Sequence, residues 1–248
     1  MTGLAGYGDS SRYYRLRTEV AAAVDELFTH ELITPTGGNV SVRCPDSDHI
    51  LITASRVHKG GLGPEHILEV DTSGRPVLPD EDASGTGPPL AGFAPVSAGS
   101  GRRIRPSVET GMHLAIYDTR PDVGAVVHAH APLATVWGLF DEPVLPLTID
   151  SVRFTDLRVV PFAAPGSSEL ATATAEALGR GWAALLRNHG LVAVGRDLRE
   201  AVNVTLALEE TLRVAFLSRV AVLCGLGGKE PVPIPPRAAD FLRKILIG

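Results

Sequence analysis

The chain has 248 residues, of which 44% are hydrophobic, and this length suits one large α/β domain or two small ones. The formal net charge is −5 without a basic stripe, which argues against a nucleic-acid partner, and the longest apolar runs are too short to span a membrane. The two cysteines, Cys44 and Cys224, do not suggest a disulfide framework and no export signal opens the chain, so we expect a cytoplasmic protein.

The chain is predicted to begin with an amphipathic helix and then to enter a strand through a glycine turn. Apolar side chains recur at helical spacing over Tyr13–Leu32. Gly37–Asn39 precedes the alternating run Val40–Arg43, a pattern that predicts a loop followed by a strand. Glycine allows backbone N–H groups to approach an anion, and Asn39 adds a side-chain donor. An ordinary turn that starts a strand is the alternative interpretation.

Two more strands and a long polar segment are predicted before the middle of the chain. His49–Ser55 is a predicted strand that ends in small hydroxyl residues, Arg56 follows it, and Ile67–Asp71 is the next strand. Residues 79–104 are rich in Gly, Pro, Ser and Ala and contain little that a core could bury. We expect this segment to be a flexible loop, with a lid over a site as the alternative.

A helix is predicted to follow Arg105-Pro106, with Ser107 as its capping residue and Glu109 in its first turn. The structural explanation for a carboxylate in this place is compensation of the helix dipole. Pro121-Asp122 ends the helix and separates it from the next strand.

The central stretch of the chain is the predicted strand Ala125–His130. Residues i and i+2 of a strand point to the same face, so His128 and His130 direct their imidazoles into the same space. His189 interrupts a second apolar run just before a glycine. Three histidines at strand ends leave one coordination position open, as catalytic zinc sites do. An isolated His-x-His pair is a weak signal, and ordinary core or surface histidines are the alternative.

The rest of the chain alternates short strands with helices. Pro143–Val160 is predicted to be a strand-like segment with turns, and it contains Asp150. The predicted elements after it are a helix over Pro165–Leu178, a strand pair over Leu185–Val194, a long helix over Asp197–Leu223 and a short helix over Ala238–Ile247. Helices flank strands without strict βαβ alternation. We therefore predict one three-layer α/β domain over residues 1–248, with a mainly antiparallel or mixed central sheet.

Several ordered motifs together identify the chain as similar to the class II aldolase/adducin family, the fuculose-1-phosphate aldolase-like proteins. The matching stretches are Gly38–Ser41, Ile52–Ser55, Pro106–Glu109 with His113 and Tyr117, Arg120–His130, and Asn188–Leu191. They occur in the order found in the family and cover roughly residues 13–223.

The resemblance implies a fold, a metal and a set of site residues. The implied fold is an α/β/α sandwich, and the implied assembly is a homo-oligomer, with a tetramer favoured. Metal binding is implied for His128, His130 and His189, with Zn²⁺ first and Mn²⁺, Co²⁺, Fe²⁺ or Ni²⁺ as other candidates. Glu109 matches the catalytic acid/base of the family. The positions that hold the substrate phosphate in the sugar-phosphate aldolases are matched by Gly38, Asn39, Ser55 and Ser107.

Two positions depart from the family pattern and bear on the substrate, and a third bears on the type of reaction. Val108 stands where the aldolases have a second serine, and Arg56 stands where a glycine is usual. The planar guanidinium group of arginine can form two parallel hydrogen bonds to a carboxylate or a phosphate, so a substrate with either group is possible at this point. Asp150 falls roughly where related pentulose-phosphate 4-epimerases have an aspartate, and we assign it to the substrate site as an expectation.

The resemblance thus predicts a metal-dependent lyase that cleaves a C–C bond of a small hydroxy-carbonyl substrate through a metal-stabilised enolate or enediolate. A decarboxylase of a hydroxylated carboxylate is the main alternative, because the same chemistry serves both reactions. A sugar-phosphate 4-epimerase and a non-catalytic adducin-like binding domain are further alternatives. The retained histidines and Glu109 disfavour the binding domain, since adducin-type members lose metal ligands.

Overall fold

A seven-stranded mixed sheet forms the centre of the computed structural model, which describes residues 13–77, 104–226 and 230–247. The predicted loop over residues 79–104 lies outside the described residues except for Ile104. The strands are β1 (Asn39–Arg43), β2 (Ile50–Thr53), β3 (Ile67–Val70), β4 (Ala125–Ala129), β5 (Arg158–Val160), β6 (Ala183–Leu186) and β7 (Gly190–Gly195). The helices are α1 (Tyr14–Thr29), α2 (Thr110–Thr119), α3 (Pro132–Trp137), α4 (Ser168–Leu178), α5 (Leu198–Leu223) and α6 (Pro236–Ile247).

The strand order across the sheet is β3-β2-β1-β4-β7-β6-β5, and β5 with β6 is the parallel pair among otherwise antiparallel neighbours. β4 occupies the middle position, and Val126 faces Ser41 of β1 on one side and Val194 of β7 on the other. This confirms the prediction of a mainly antiparallel or mixed sheet.

Both faces of the sheet are buried, because alternate residues of β4 enter two different apolar clusters. Val127 packs in a cluster with residues of α1, α3 and α5, whereas Val126 packs with residues of α2 and α4 on the opposite face. Side chains of successive strand residues point to opposite faces, so each face is covered by its own helices. The predicted three-layer α/β/α architecture is therefore confirmed.

The bounds of some elements differ from the sequence-based expectation. Over Pro143–Val160 the strand is limited to Arg158–Val160, and a 3₁₀ turn occupies Asp150–Phe154. Pro143 and Pro146 lack a backbone N–H, so this stretch cannot fill a ladder position in the sheet. Within the described ranges, no helix is long and apolar enough to cross a membrane.

The start of α2 is also a correction. The sequence predicts Ser107 as the helix cap, but the helix begins at Thr110 and the residue that precedes it is Glu109. Ser107 instead accepts a hydrogen bond from the Glu109 backbone N–H at 3.2 Å and holds Thr110 through its carbonyl. The turn before the helix therefore fixes the backbone of Glu109.

Candidate active site

The middle strand β4 positions the first histidine. His128 is fully buried and lies opposite Asn39 of β1 and Val192 of β7. Its Nδ1 lies 2.8 Å from the carbonyl oxygen of Leu191, which can only accept, so Nδ1 carries the proton. The lone pair of His128 is consequently on Nε2, as expected for a metal ligand whose second nitrogen is held by the backbone.

The other two histidines come from the end of β4 and from the β6–β7 turn. His130 follows β4 directly, and its Nε2 lies 3.1 Å from Nε2 of His128. His189 lies in the turn whose preceding residue, Asn188, has φ +61, a conformation that asparagine tolerates better than most residues. One ring nitrogen from each of the three histidines lies within 4.8 Å of the others. The structure thus brings the three predicted ligands together.

Burial keeps the central imidazoles uncharged. Loss of solvent lowers the pKa of His128 well below its ordinary value, and the neighbouring His189 and His130 lower it further. Burial also lowers the pKa of His130, with His189 acting in the same direction and Glu109 opposing both. Neutral imidazoles are the form that binds metal ions, so the lowered pKa values keep the cluster in the protonation state that can bind a cation.

Glu109 faces this cluster from the turn before α2. Its side chain is buried, with Oε2 at 3.3 Å from Nε2 of His128 and Oε1 at 3.6 Å from Nε2 of His189. Asn39 donates to Oε2 at 2.9 Å, whereas Oε1 has no hydrogen-bond partner among the described residues. A buried carboxylate oxygen without a partner, next to three neutral nitrogen donors, fits a site that takes up a divalent cation and a substrate proton.

A buried hydrogen-bonded chain supports Asn39 from behind. The Oδ1 atom of Asn39 accepts from Nε2 of His113 at 2.6 Å, Ser41 donates to His113 Nδ1 at 2.6 Å, and Tyr117 donates to Ser41 at 2.9 Å. An amide oxygen only accepts, so it fixes the tautomer of His113 and the direction of the whole chain. Burial, reinforced by His128, lowers the pKa of His113 to about 3, which keeps the ring neutral. His113 therefore reaches Glu109 through Asn39 and not directly.

A cavity of about 270 Å³ connects the histidines to a second wall. The described residues that line it include Gly37, Gly38, Asn39, Ser55, Arg56, Lys59, Ser107, Val108, Glu109, His130 and His189. The bridge between Ala54 and Pro106 holds the segment after β2 beside the segment before α2, which explains why Ser55 and Ser107 line the same space. The expectation that Gly38, Asn39, Ser55, Arg56 and Ser107 belong to one site agrees with this lining.

Asp150 does not belong to the described lining of this cavity. It is exposed at the start of the 3₁₀ turn Asp150–Phe154, whose other residues are mostly buried and which packs against α5 and α6. Its assignment to the substrate site, and the epimerase alternative that it motivated, stay predictions.

Lys59 is a cavity residue that the sequence reasoning did not single out. It lies in the loop after β2, is only 1% exposed and donates from Nζ to the carbonyl oxygen of Ala54 at 3.0 Å. Its backbone N–H donates to Pro35, which joins this loop to the entrance of β1. The available signal was the short basic cluster Arg56–Lys59 after a strand, but a pattern of charges usually indicates a solvated surface.

Comparison with known proteins gives a consistent set of relatives. Residues 18–216 match the family described as Class II Aldolase and Adducin N-terminal domain. The chain is 32% identical over 197 residues to a 5-methylthioribulose-1-phosphate/5-deoxyribulose-1-phosphate aldolase of Rhodospirillum rubrum, covering 79% of this chain and 77% of the relative. It is 28% identical over 210 residues to a 3-oxo-tetronate 4-phosphate decarboxylase of Escherichia coli, covering 82% and 86%.

The solved structures agree with the sequence comparison. An L-fuculose 1-phosphate aldolase structure superposes with a TM-score of 0.76 at 27% identity and covers 96% of this chain and 99% of its own. The structure of the L-fuculose-1-phosphate aldolase from Thermus thermophilus gives a TM-score of 0.65 at 28% identity and covers 84% and 97%. The fold therefore has direct counterparts among solved proteins.

Proposed function

Because the chain belongs to the class II aldolase and adducin family and is an enzyme of that family, we propose that it is a metal-dependent lyase that performs aldol cleavage on a small hydroxy-carbonyl substrate. The observation that carries the proposal is the cluster of His128, His130 and His189 with the unpartnered Oε1 of Glu109 beside it. The relatives named above act on phosphorylated substrates, which supports a phosphorylated substrate here.

Three imidazole nitrogens would hold the divalent cation, with Zn²⁺ as the first candidate. When bound, the cation polarises a carbonyl group and stabilises negative charge on its oxygen. The same donor set suits Mn²⁺, Co²⁺, Fe²⁺ or Ni²⁺.

Glu109 would move the proton that cleavage requires. When the C–C bond breaks, the hydroxyl group of the departing fragment loses its proton and becomes the aldehyde carbonyl. The electron pair of the broken bond stays with the fragment that holds the original carbonyl, and the carbon at the break must then gain a proton. Oε2 of Glu109 is held by Asn39, so Oε1 is the oxygen left to carry and deliver that proton. The neutral His113 behind Asn39 keeps the amide turned with its NH₂ group toward the carboxylate.

Decarboxylation is the second candidate function, and a specific residue favours it. Arg56 is exposed on the cavity wall, where its guanidinium could hold a carboxylate. Loss of CO₂ also leaves an electron pair on a carbon next to a carbonyl, so Glu109 would serve in the same role. The E. coli relative named as a decarboxylase shows that this family includes the reaction.

One experiment tests the metal and separates the two reactions. Metal content per chain is measured for the protein purified without chelator and for His128→Ala and His189→Ala, with the exposed His30→Ala as the control. We expect about one metal ion per chain, retained in the control and lost in the two site variants. The metal-loaded protein is then assayed on sugar phosphates and hydroxy acids for released aldehyde and CO₂. A protein that binds no added Zn²⁺, Mn²⁺ or Co²⁺ would contradict the proposal.

The assembly and location are part of the proposal. Large apolar side chains are exposed along the second half of α5 and on α6, among them Leu217, Leu223, Phe241 and Ile245. Such a surface is typical of subunit contacts, which supports a homo-oligomer with a tetramer favoured. Light scattering on the purified protein measures the mass directly. Cys44 and Cys224 form no disulfide in the described part of the chain, which suits a reducing cytoplasm.

A further inference from the structure

Lys59 is a buried cation in a chain that rarely uses lysine. The sequence contains three lysines among its 23 Lys and Arg residues. Lys244 lies exposed on α6, whereas Lys59 is 1% exposed at the cavity wall. Lysine is almost never fully buried unless an opposite charge accompanies it, so its burial here calls for an explanation.

Among the residues that the structure describes, no acidic side chain supplies that opposite charge. The ammonium group of Lys59 donates to the Ala54 carbonyl, and none of the carboxylates in the described ranges forms an ion pair with it. An ammonium group has three donors, so two remain available for another acceptor. Burial lowers the pKa of Lys59 to about 8, which reflects a charge that lacks compensation.

The surroundings of Lys59 on the cavity wall suit an anion. Arg56 lies three residues earlier with φ +57, a strained conformation for a residue other than glycine, and its charge adds to that of Lys59. Ser55 and Ser107 add hydroxyl donors on the same cavity lining. Among the described lining residues, Glu109 is the one acid, and it faces the three histidines. The cavity therefore has a basic wall and a metal-binding wall.

We propose that Lys59 is a specificity-determining residue whose ammonium group is the counter-charge for a dianionic phosphoryl group on the substrate. Lys59 belongs to none of the motifs that carry the family resemblance, so it adds a cation to the hydroxyl and backbone donors of those motifs. The assignment rests on the proposed lyase function, because it names the group that the substrate carries away from the reacting carbons.

The chemistry of the wall favours a phosphate over a carboxylate. A phosphoryl group carries a charge of roughly −1.5 to −2 near neutral pH and three acceptor oxygens, whereas a carboxylate carries one charge and two oxygens. Two cationic side chains and two hydroxyl groups match the larger charge and the larger number of acceptors. Since Lys59 is buried, its attraction to the anion is screened less by salt than that of the exposed Arg56.

The test measures binding of inorganic phosphate by titration calorimetry to the metal-loaded wild type, Lys59→Met, Lys59→Gln and the surface control Lys244→Met. Glutamine can keep a hydrogen bond to the Ala54 carbonyl without the charge, so it separates the charge from a structural contact. We expect phosphate affinity to fall by about 10- to 100-fold in both Lys59 variants, as for loss of a charge-assisted hydrogen bond, and to stay unchanged in Lys244→Met. Acetate, measured in parallel, should bind the wild type more weakly than phosphate.

Thermal unfolding provides the folding control. In phosphate-free buffer, Lys59→Met should unfold at a temperature equal to or above that of the wild type, because an uncompensated buried charge has been removed. Unchanged phosphate affinity in Lys59→Gln, or equal affinity of the wild type for phosphate and acetate, would overturn the proposal. Phosphate binding needs no turnover, so binding that depends on Lys59 in a protein without lyase activity would contradict the proposed function and leave the role of Lys59 standing.

Discussion

At the scale of single residues, the two oxygens of Glu109 have different surroundings. Asn39 holds Oε2, and Oε1 lies toward His189 without a partner in the described structure. Glu109→Gln keeps the shape of the side chain but removes its capacity to carry a proton. We expect kcat to fall by about 10²- to 10⁴-fold, the range for loss of a general acid or base, while metal content stays near one per chain.

The matched control for this variant is Glu210→Gln, an exposed position on α5. It should leave both kcat and metal content unchanged. Loss of metal from Glu109→Gln would mean that the carboxylate binds the cation and is not a free proton carrier.

Ser41 is the residue on which the buried chain behind the site depends. Its hydroxyl donates to His113 and accepts from Tyr117, and all three side chains are buried. Ser41→Ala leaves Nδ1 of His113 without this partner and removes one of the partners of the Tyr117 phenol, so we expect the free energy of unfolding to fall by about 1–3 kcal/mol. Urea unfolding measures the loss, and Thr18→Ala, which removes an exposed hydroxyl on α1, should change it little.

At the scale of elements, the entrance to β1 and the end of β4 come together without room for a side chain. A methyl group on Gly37 would lie 2.5 Å from Nδ1 of His130. Gly37→Ala must therefore displace the imidazole, and we expect metal affinity to fall by about 10- to 100-fold, as for other changes that misorient a ligand. Competition with a chromogenic chelator measures this affinity.

Substitutions of two other glycines serve as comparisons for Gly37→Ala. Gly111→Ala, in α2, meets no atom within 4 Å and should keep metal affinity while it stabilises the helix by about 0.5–1 kcal/mol. Gly190→Ala would place its methyl group 2.1 Å from the carbonyl oxygen of Ala129, a backbone atom that cannot turn aside. That variant should lose stability as well as metal. Equal metal affinity in Gly37→Ala and Gly111→Ala would contradict the argument.

Elements with a strong local pattern could be predicted from the sequence, and the site could be predicted where it lies on them. The apolar run before His128 and the turn at His189 identify two adjacent strands, so the three histidines were found together. In the Pro143–Val160 segment, predicted to be strand-like with turns, the strand is limited to Arg158–Val160 because the apolar residues before it pack around a 3₁₀ turn.

Lys59 could not be predicted because its burial is decided by tertiary packing. Locally, a lysine between a histidine and two glycines predicts an exposed loop. The loop is instead held against the entrance of β1 by the hydrogen bond from the Lys59 backbone N–H to the Pro35 carbonyl oxygen. A contact between two separate segments of this kind leaves no hydrophobic periodicity in the sequence. The chain behind Asn39 is similar, since Ser41 and Tyr117 meet only after β1 and α2 pack on each other.

At the scale of the whole molecule, buried neutral histidines make stability depend on pH. Burial lowers the pKa of His113 from 6.5 to about 3, so between these pH values the unfolded chain binds a proton that the folded protein does not. Stability is therefore present above pH 6.5 and falls as the pH drops through this window. The lowered pKa values of His128 and His130 act with the same sign.

The prediction is a free energy of unfolding that is lower at pH 5 than at pH 7, measured with urea on protein freed of metal by a chelator. His113→Gln should show a smaller difference between the two pH values, because one of the responsible groups is gone. An equally steep dependence in this variant would assign the acid sensitivity to the other histidines. The exposed control His30→Ala should keep the full dependence.

The central position of β4 has a consequence for the order of events during folding. Its residues pair with Ser41 at one edge and with Val194 at the other, so both partners are distant along the chain. Pairing of strands that are distant along the chain is slow, because the chain loses conformational entropy before the stabilising contacts form. Because the three-histidine cluster needs both pairings of β4, we expect it to be completed only after the transition state. Bound metal should then lengthen the lifetime of the folded protein by slowing its unfolding, while the rate of folding stays nearly unchanged.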